Sequence, residues 1–239
     1  AHASPEFVGS DACQNCHATE YENWTGSHHD LAMQMPTEET VLGDFNNASF
    51  EYGGITTTFY RKGDKFMVRT DGEDGQLTEF TVKYVFGVYP LQQYLLPLSR
   101  GRLQALSVAW DARPETEGGQ RWYHLYPDEV IKHDDPLHWT GPYQNWNTRC
   151  AECHSTDLQK NYQMKTRSFD TQYAEIDVGC EACHGPGKKH LELARAEKLI
   201  DAHQGGFPTA LAQRGDWFFP EGQNIAQRRE SLDSRAQVD

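Results

Sequence analysis

The sequence predicts an α+β chain. Short helices and loops carry a repeated cysteine–histidine motif, and an antiparallel β domain is inserted between its copies. Three observations predict this. All six cysteines of the 239 residues fall in C-x-x-C-H strings. These are unevenly placed, one near residue 13 and two between 150 and 184, with none from 40 to about 140. That gap alternates apolar and polar residues with period two, whereas its flanks space apolar residues by three and four.

After His17, the positions Tyr21, Trp24, His28, Leu31 and Ala32 make one helical face, predicting a helix over 18–33 that stops before Pro36. In the gap, Ser49 to Tyr52 runs into the Gly53-Gly54 turn. Ile55, Thr57 and Phe59 then alternate with polar neighbours, and Phe66 and Val68 continue the pattern beyond Lys62-Gly63-Asp64. A third turn over 71–75 precedes a strand over 78–86, and further strands are expected over 103–110 and 121–126. Five or six antiparallel strands suffice for a small sheet or sandwich. Past the last motif, Gly185-Pro186-Gly187 turns into a helix over 188–202, then a loop holding Trp217, Phe218 and Phe219, then a polar end. The expected units are 1–40, a first motif segment; 41–135, the β domain; 136–204, the second and third motif segment; and 205–239, an extension.

The balance of 35 acids against 22 bases gives a net charge of -13. It argues against nucleic acid, whose phosphates need Lys and Arg, and suits a partner with a basic docking surface. No stretch of about 18 apolar residues occurs, so no membrane span is expected.

The motifs are Cys13-Gln14-Asn15-Cys16-His17, Cys150-Ala151-Glu152-Cys153-His154 and Cys180-Glu181-Ala182-Cys183-His184. This is the attachment signature of c-type haem. Two thiols add across the porphyrin vinyls, and the following histidine takes the iron. A disulfide framework uses the same even count but needs no histidine after each pair. A zinc site needs four ligands, and no fourth has a fixed spacing here. A thioredoxin-like C-x-x-C needs a βαβ context that is not visible. The expectation is three covalently bound haems on Cys13, Cys16, Cys150, Cys153, Cys180 and Cys183, with His17, His154 and His184 as proximal ligands. Bacterial haem attachment of this kind occurs outside the cytoplasmic membrane. The expected location is therefore periplasmic or extracellular, with a signal peptide already removed ahead of Ala1.

Distal ligands come from the remaining eight histidines or from Met33, Met35, Met67 and Met164. The excess of histidine favours bis-histidine irons of low potential. His28 and His29 lie on the expected first helix, His138 shortly before the second motif, and His190 beyond the Gly-Pro-Gly turn. His133 and His124 are substitutes, and His2 sits at the chain end. Neither His29 nor His190 is expected to serve the iron of its own neighbouring motif. The short spacing of Cys150 and Cys180 suggests that the second and third haems are neighbours.

Val8-Gly9-Ser10, the first motif, and Tyr21, Trp24, Ser27, His29, Ala32 and Met33 together resemble the start of a multihaem cytochrome c family. That family includes the electron acceptor of hydroxylamine oxidoreductase. Phe86 to Tyr94, Gly118 to Trp122, Leu137-His138-Trp139 and Asn145-Trp146-Asn147 resemble the β insertion of its branch with tetratricopeptide repeats. Gly179 to Gly187 with His190 is similar to the same branch. The resemblance implies electron transfer through packed, mostly bis-histidine haems, with His29 and His190 as distal ligands. It assigns His138 less directly. That branch usually carries a fourth motif and repeats beyond a segment like 221–239, which are not in this sequence.

The expected function is an electron carrier, with no catalytic acid, base or nucleophile supplied by the chain. Two alternatives stand beside it: a subunit of an extracellular cytochrome polymer or larger redox complex, and a redox enzyme acting on a small nitrogen or sulfur compound at a five-coordinate haem.

Overall fold

A computed structural model describes residues 6–200, 203–208, 217–218 and 227–228. Its regular structure is ten strands in two antiparallel sheets, flanked by short helices, with one further two-stranded pairing of Trp217–Phe218 and Gln227–Arg228.

The smaller sheet is a meander of β2 (Ala48–Tyr52), β3 (Ile55–Lys62), β4 (Lys65–Asp71) and β5 (Leu77–Thr81) in sequence order. The Gly53-Gly54 and Gly63 turns read from the sequence join its first three strands, each glycine at positive φ. The larger sheet has the order β1-β6-β7-β9-β10, with β8 also on β7. Its strands are β1 (Met33–Gln34), β6 (Tyr84–Phe86), β7 (Leu91–Pro97), β8 (Leu103–Ala105), β9 (Val108–Asp111) and β10 (Arg121–His124). The strand expected over 78–86 is two strands, because the chain leaves one sheet at Thr81 and enters the other at Tyr84. The strand expected over 103–110 is likewise split.

One core lies between the sheets. Phe59, Phe66 and Val68 of the smaller sheet meet Val85, Tyr94, Leu96, Trp110 and Trp122 of the larger. The Phe59 and Trp122 rings stack at 3.5 Å, and Phe45 sets its edge or face against Phe59, Phe66, Tyr94 and Trp122. Each such buried aromatic contributes about 2–3 kcal/mol over an exposed one. Gly43 approaches this core closely: a Cβ there would lie 2.7 Å from the Trp122 ring.

The larger sheet is covered on both faces. Tyr84, Phe86 and Leu95 point away from the sandwich into a second cluster with Met33, Trp146 and Ala151. Alternate residues of one strand thus serve two cores, which is why Tyr94-Leu95-Leu96 reads as a continuous apolar run rather than an alternation.

The helices are shorter than the sequence predicts. In place of one helix over 18–33 stands α1 (Ala18–Trp24), then a turn, a 3-10 turn over Asp30–Ala32, and β1. Thr25 adopts extended ψ, and Gly26 takes φ 74°, a value glycine adopts without cost. His28 and His29 therefore lie on a turn, not a helix. The short α2 (Trp146–Arg149) and α3 (Ala151–His154) lead through the second motif, and α4 (Cys180–His184) is the third. The final α5 is Lys188–Arg195, ending well before the expected residue 202. His2 and most of the extension from 205 onward lie outside the described residues.

Candidate haem sites

The first motif is fastened to the third by polar contacts from opposite ends of the chain. The Glu181 carboxylate, 3 % exposed, accepts hydrogen bonds from the Val8, Gly9 and Gly187 amides at 2.6–3.0 Å. Glu175 accepts from the Ser10 amide and hydroxyl, and Ser10 Oγ in turn accepts from the Cys180 amide at 3.0 Å. The Trp24 indole donates to the Val178 carbonyl at 3.0 Å, and the Val178 amide donates to the His29 carbonyl at 3.2 Å. A Cβ at Gly179 would collide with Ser10 Oγ and the Glu175 carboxylate, so any larger residue here has to displace the side chains that join the two motifs.

The result adds a neighbour to the expected pairing of second and third motifs: the Gly179 amide, just before Cys180, donates to Thr156 Oγ1 two residues after His154 at 2.9 Å, and the first motif packs against the third as well. The Cys13 and Cys180 thiols lie within hydrogen-bond reach, and burial, then Cys180 itself, push the Cys13 thiol up to about 12. Both motifs open onto one cavity of about 400 Å³. Its walls are largely apolar, from Val8, Leu191, Ala194 and Phe207, and Cys13, Cys16, His17, Cys180, His184 and His190 reach into it. The segment 157–174 makes an excursion closed by isolated bridges, Thr156 to Glu175, Gln159 to Gln172 and Gln163 to Ser168, and returns beside the end of the second motif, from where 175–181 reaches the first.

His190 stands on α5 with its ring centre 6.1 Å from that of His17, at 35° between planes. Its Nδ1–H donates to the Gly205 carbonyl at 2.8 Å, and Phe207 stacks on it at 4.5 Å. With Nδ1 protonated, Nε2 keeps a free lone pair, the arrangement of a metal-bound imidazole with its outer hydrogen bond in place. Two nitrogens about 2 Å from a common metal, each about 1 Å from its ring centre, put ring centres roughly 6 Å apart. The His17–His190 separation fits such an axial pair.

The second motif lies on the outer face of the larger sheet. Ala151 is fully buried, and Cys150 packs beside Met33, Trp146 and Leu158. His154 Nδ1 donates to the Ala32 carbonyl at 3.2 Å, again leaving Nε2 free, and its ring meets the Phe86 ring edge-on at 5.5 Å. The Trp146 Nε1–H is buried with no acceptor. An unsatisfied donor beside an attachment cysteine is what a cofactor with polar edges would complete.

The remaining candidates divide sharply. His29 is exposed, yet its segment touches both the run into the third motif, through its own carbonyl, and the second motif's histidine, through Ala32. His28 is exposed beside it. His138 is placed otherwise than expected. It is buried in the β domain, with Nδ1 bonded to Thr140 Oγ1 at 2.8 Å and Nε2 to Asp71 Oδ2 at 3.1 Å. Both ring nitrogens are engaged, so neither is offered to a metal here. Burial, the largest single influence, raises the Asp71 carboxyl, but the hydrogen bond and charge of His138 together with hydrogen bonds from Thr70 and the backbone outweigh it, and the net shift is downward. His124 shares the small cavity beside His138, stacks on Tyr52 at 3.6 Å and accepts from the Tyr126 amide. Burial lowers its pKa, which keeps it neutral. The exposed His133 lies against Gly75. None of the residues lining that small cavity comes from a C-x-x-C-H.

Two site residues escape sequence reading. Glu181 looks like Glu152, since both sit inside a motif. Yet the first x position faces inward in the second and third motifs (Ala151 and Glu181), while the second faces solvent. Asp177 carries no motif at all. Its Oδ1 is buried without a partner, and burial, then Glu175 and Asp30, push its carboxyl up to about 7.

The sequence profile of the cytochrome c554 and c-prime family matches residues 12–49 and 121–185. The matched segments contain all three motifs and leave out residues 50–120, most of the β insertion, which supports a multihaem c-type cytochrome. No curated protein matches the chain. Among solved structures, the outer cell wall cytochrome OcwA is 19 % identical, with a TM-score of 0.49 over 87 % of this chain and 35 % of its own. An undecaheme cytochrome from the S-layer of Carboxydothermus ferrireducens is 18 % identical, with a TM-score of 0.47 over 95 % of this chain and 30 % of its own. The chain spans about a third of the length of either.

Proposed function

We propose that this chain carries electrons through three covalently attached c-type haems, the first and third of them adjacent. The observation that carries the reading is the single cavity shared by the first and third motifs, with the His17 and His190 rings 6.1 Å apart at its wall, where both would hold one haem iron.

Bound haem supplies an iron that alternates between ferrous and ferric. The chain's residues hold and insulate it. Cys13 with Cys16, Cys150 with Cys153, and Cys180 with Cys183 would anchor the three groups, and His17, His154 and His184 would bind them proximally. His190 would complete the first site, its tautomer fixed by Gly205. His29 is the favoured distal residue for the second or third site, with His28 as its substitute. His138, His133 and His124 are structural residues of the β domain in this reading. Coordinative saturation suits a relay, because a saturated iron does not react with small molecules. The apolar walls of the first and third sites would, with the ligands, tune the potentials of the haems they hold.

The net charge of -13, with Asp11 exposed beside the first motif, supports docking on a basic partner. The proposed location is periplasmic or extracellular; no helix among the described residues is long and apolar enough to cross a membrane. Intact mass and a reduced-minus-oxidised spectrum test the count: three haem masses and an entirely low-spin spectrum are expected. A high-spin signal that shifts with nitrite or carbon monoxide would favour the enzyme reading instead.

A further inference from the structure

The chain has 35 acids and 22 bases, yet one groove is lined by three cations and no carboxylate. It lies between the loop 140–148 and the bridged segment 160–169, and encloses about 530 Å³. Arg102, Lys160 and Arg167 line it. Arg102 pairs with Glu73 and Lys160 with the exposed Glu152, while Arg167 has no ionic partner among the described residues.

The aromatic part of the wall is Tyr162 and Phe169, with ring centres 4.8 Å apart. Tyr162 is 47 % exposed. The floor is held by hydrogen bonds: Gln104 and Asn145 are buried, Asn145 Nδ2 donates to Gln104 Oε1 at 2.8 Å, and Gln104 Nε2 donates to the Trp139 and Gly141 carbonyls. A preformed concave site of this volume is the size that holds a small molecule. Exposed aromatic faces beside a cationic rim select a flat ring system that carries negative charge.

We infer that this groove binds a planar aromatic anion next to the second motif. Thr148 lines the groove two residues before Cys150, and Lys160 of its wall is the ion-pair partner of Glu152 inside the motif. A bound molecule therefore stands beside the second attachment site. The binding itself does not depend on the haem reading, since every contact comes from protein side chains.

Titration calorimetry of the intact holoprotein with anthraquinone-2,6-disulfonate tests this. The expected result is saturable binding that weakens with added salt and is about tenfold weaker in R167Q and weaker again with K160Q added. Inorganic sulfate, which has the charge without the rings, should not compete at the same concentration. Circular dichroism of R167Q should match the parent, because Arg167 has no ion pair to lose. Unchanged affinity in R167Q and the double variant, equal competition by sulfate, or no heat up to millimolar probe each overturns the inference.

Discussion

The rings of His17 and His190 face one cavity with their centres 6.1 Å apart, although they come from segments at opposite ends of the chain. This pairing ties the third motif's trailing helix to the first motif. Replacing His190 by Ala should convert one haem to high spin, while mass spectrometry still finds all three attached. If the ferric spectrum stays fully low-spin, the pairing is wrong. His29→Ala should do the same at a different haem, so the double variant should show twice the high-spin amplitude.

His138→Gln should leave every haem low-spin, because the parent side chain is spent on Asp71 and Thr140. Its effect should fall on stability, by about 1–3 kcal/mol for a buried acceptor left without its donor. Chemical denaturation read at the tryptophans measures this. A new high-spin haem in this variant would restore His138 to the ligand set.

Asp177 gives a pH dependence of defined sign. Its folded pKa of about 7 lies above the ordinary 3.8, so between these values the folded chain binds more protons than the unfolded. The group's contribution is therefore favourable at low pH and is lost as pH rises from about 4 to about 7. Asp177→Asn should raise the melting temperature by a few degrees at pH 8 and leave it little changed near pH 4. An equal shift at both pH values would show that charge at Asp177 is not the cause.

Glu181→Ala removes the acceptor of three backbone amides, each costly to leave buried and unpaired. Hydrogen exchange should accelerate at Val8, Gly9 and Gly187 by at least about tenfold, with little change in the sandwich strands. Glu152→Ala, in the neighbouring motif position, should leave exchange at those amides unaltered.

The elements legible in the sequence were those with local signals. Turns at Gly53 and Gly63 and the alternation through Phe59, Phe66 and Val68 placed the smaller sheet. β7 was missed because its residues serve two cores at once, which erases the alternation. The first helix was overdrawn because the three- and four-residue spacing continues past Gly26, where the backbone turns. At the sites, the motif residues stood out by covalent chemistry, whereas the choice among histidines did not. His138 and His190 look alike as letters; one is consumed by a carboxylate from a distant strand, and the other is freed by a carbonyl from a distant turn. The joining of first and third motifs rests on Ser10, Glu175 and Glu181, three ordinary surface-type residues whose contacts, and for Ser10 and Glu181 burial, only the fold reveals.

The Glu181 clamp also orders events in time. The first motif emerges early in synthesis, but its amide partners, its closing wall and His190 all arrive after residue 174. The first motif is therefore made long before the residues that close the pocket around it. Contacts so distant in sequence form slowly, so the closing of this pocket belongs to the late steps of folding.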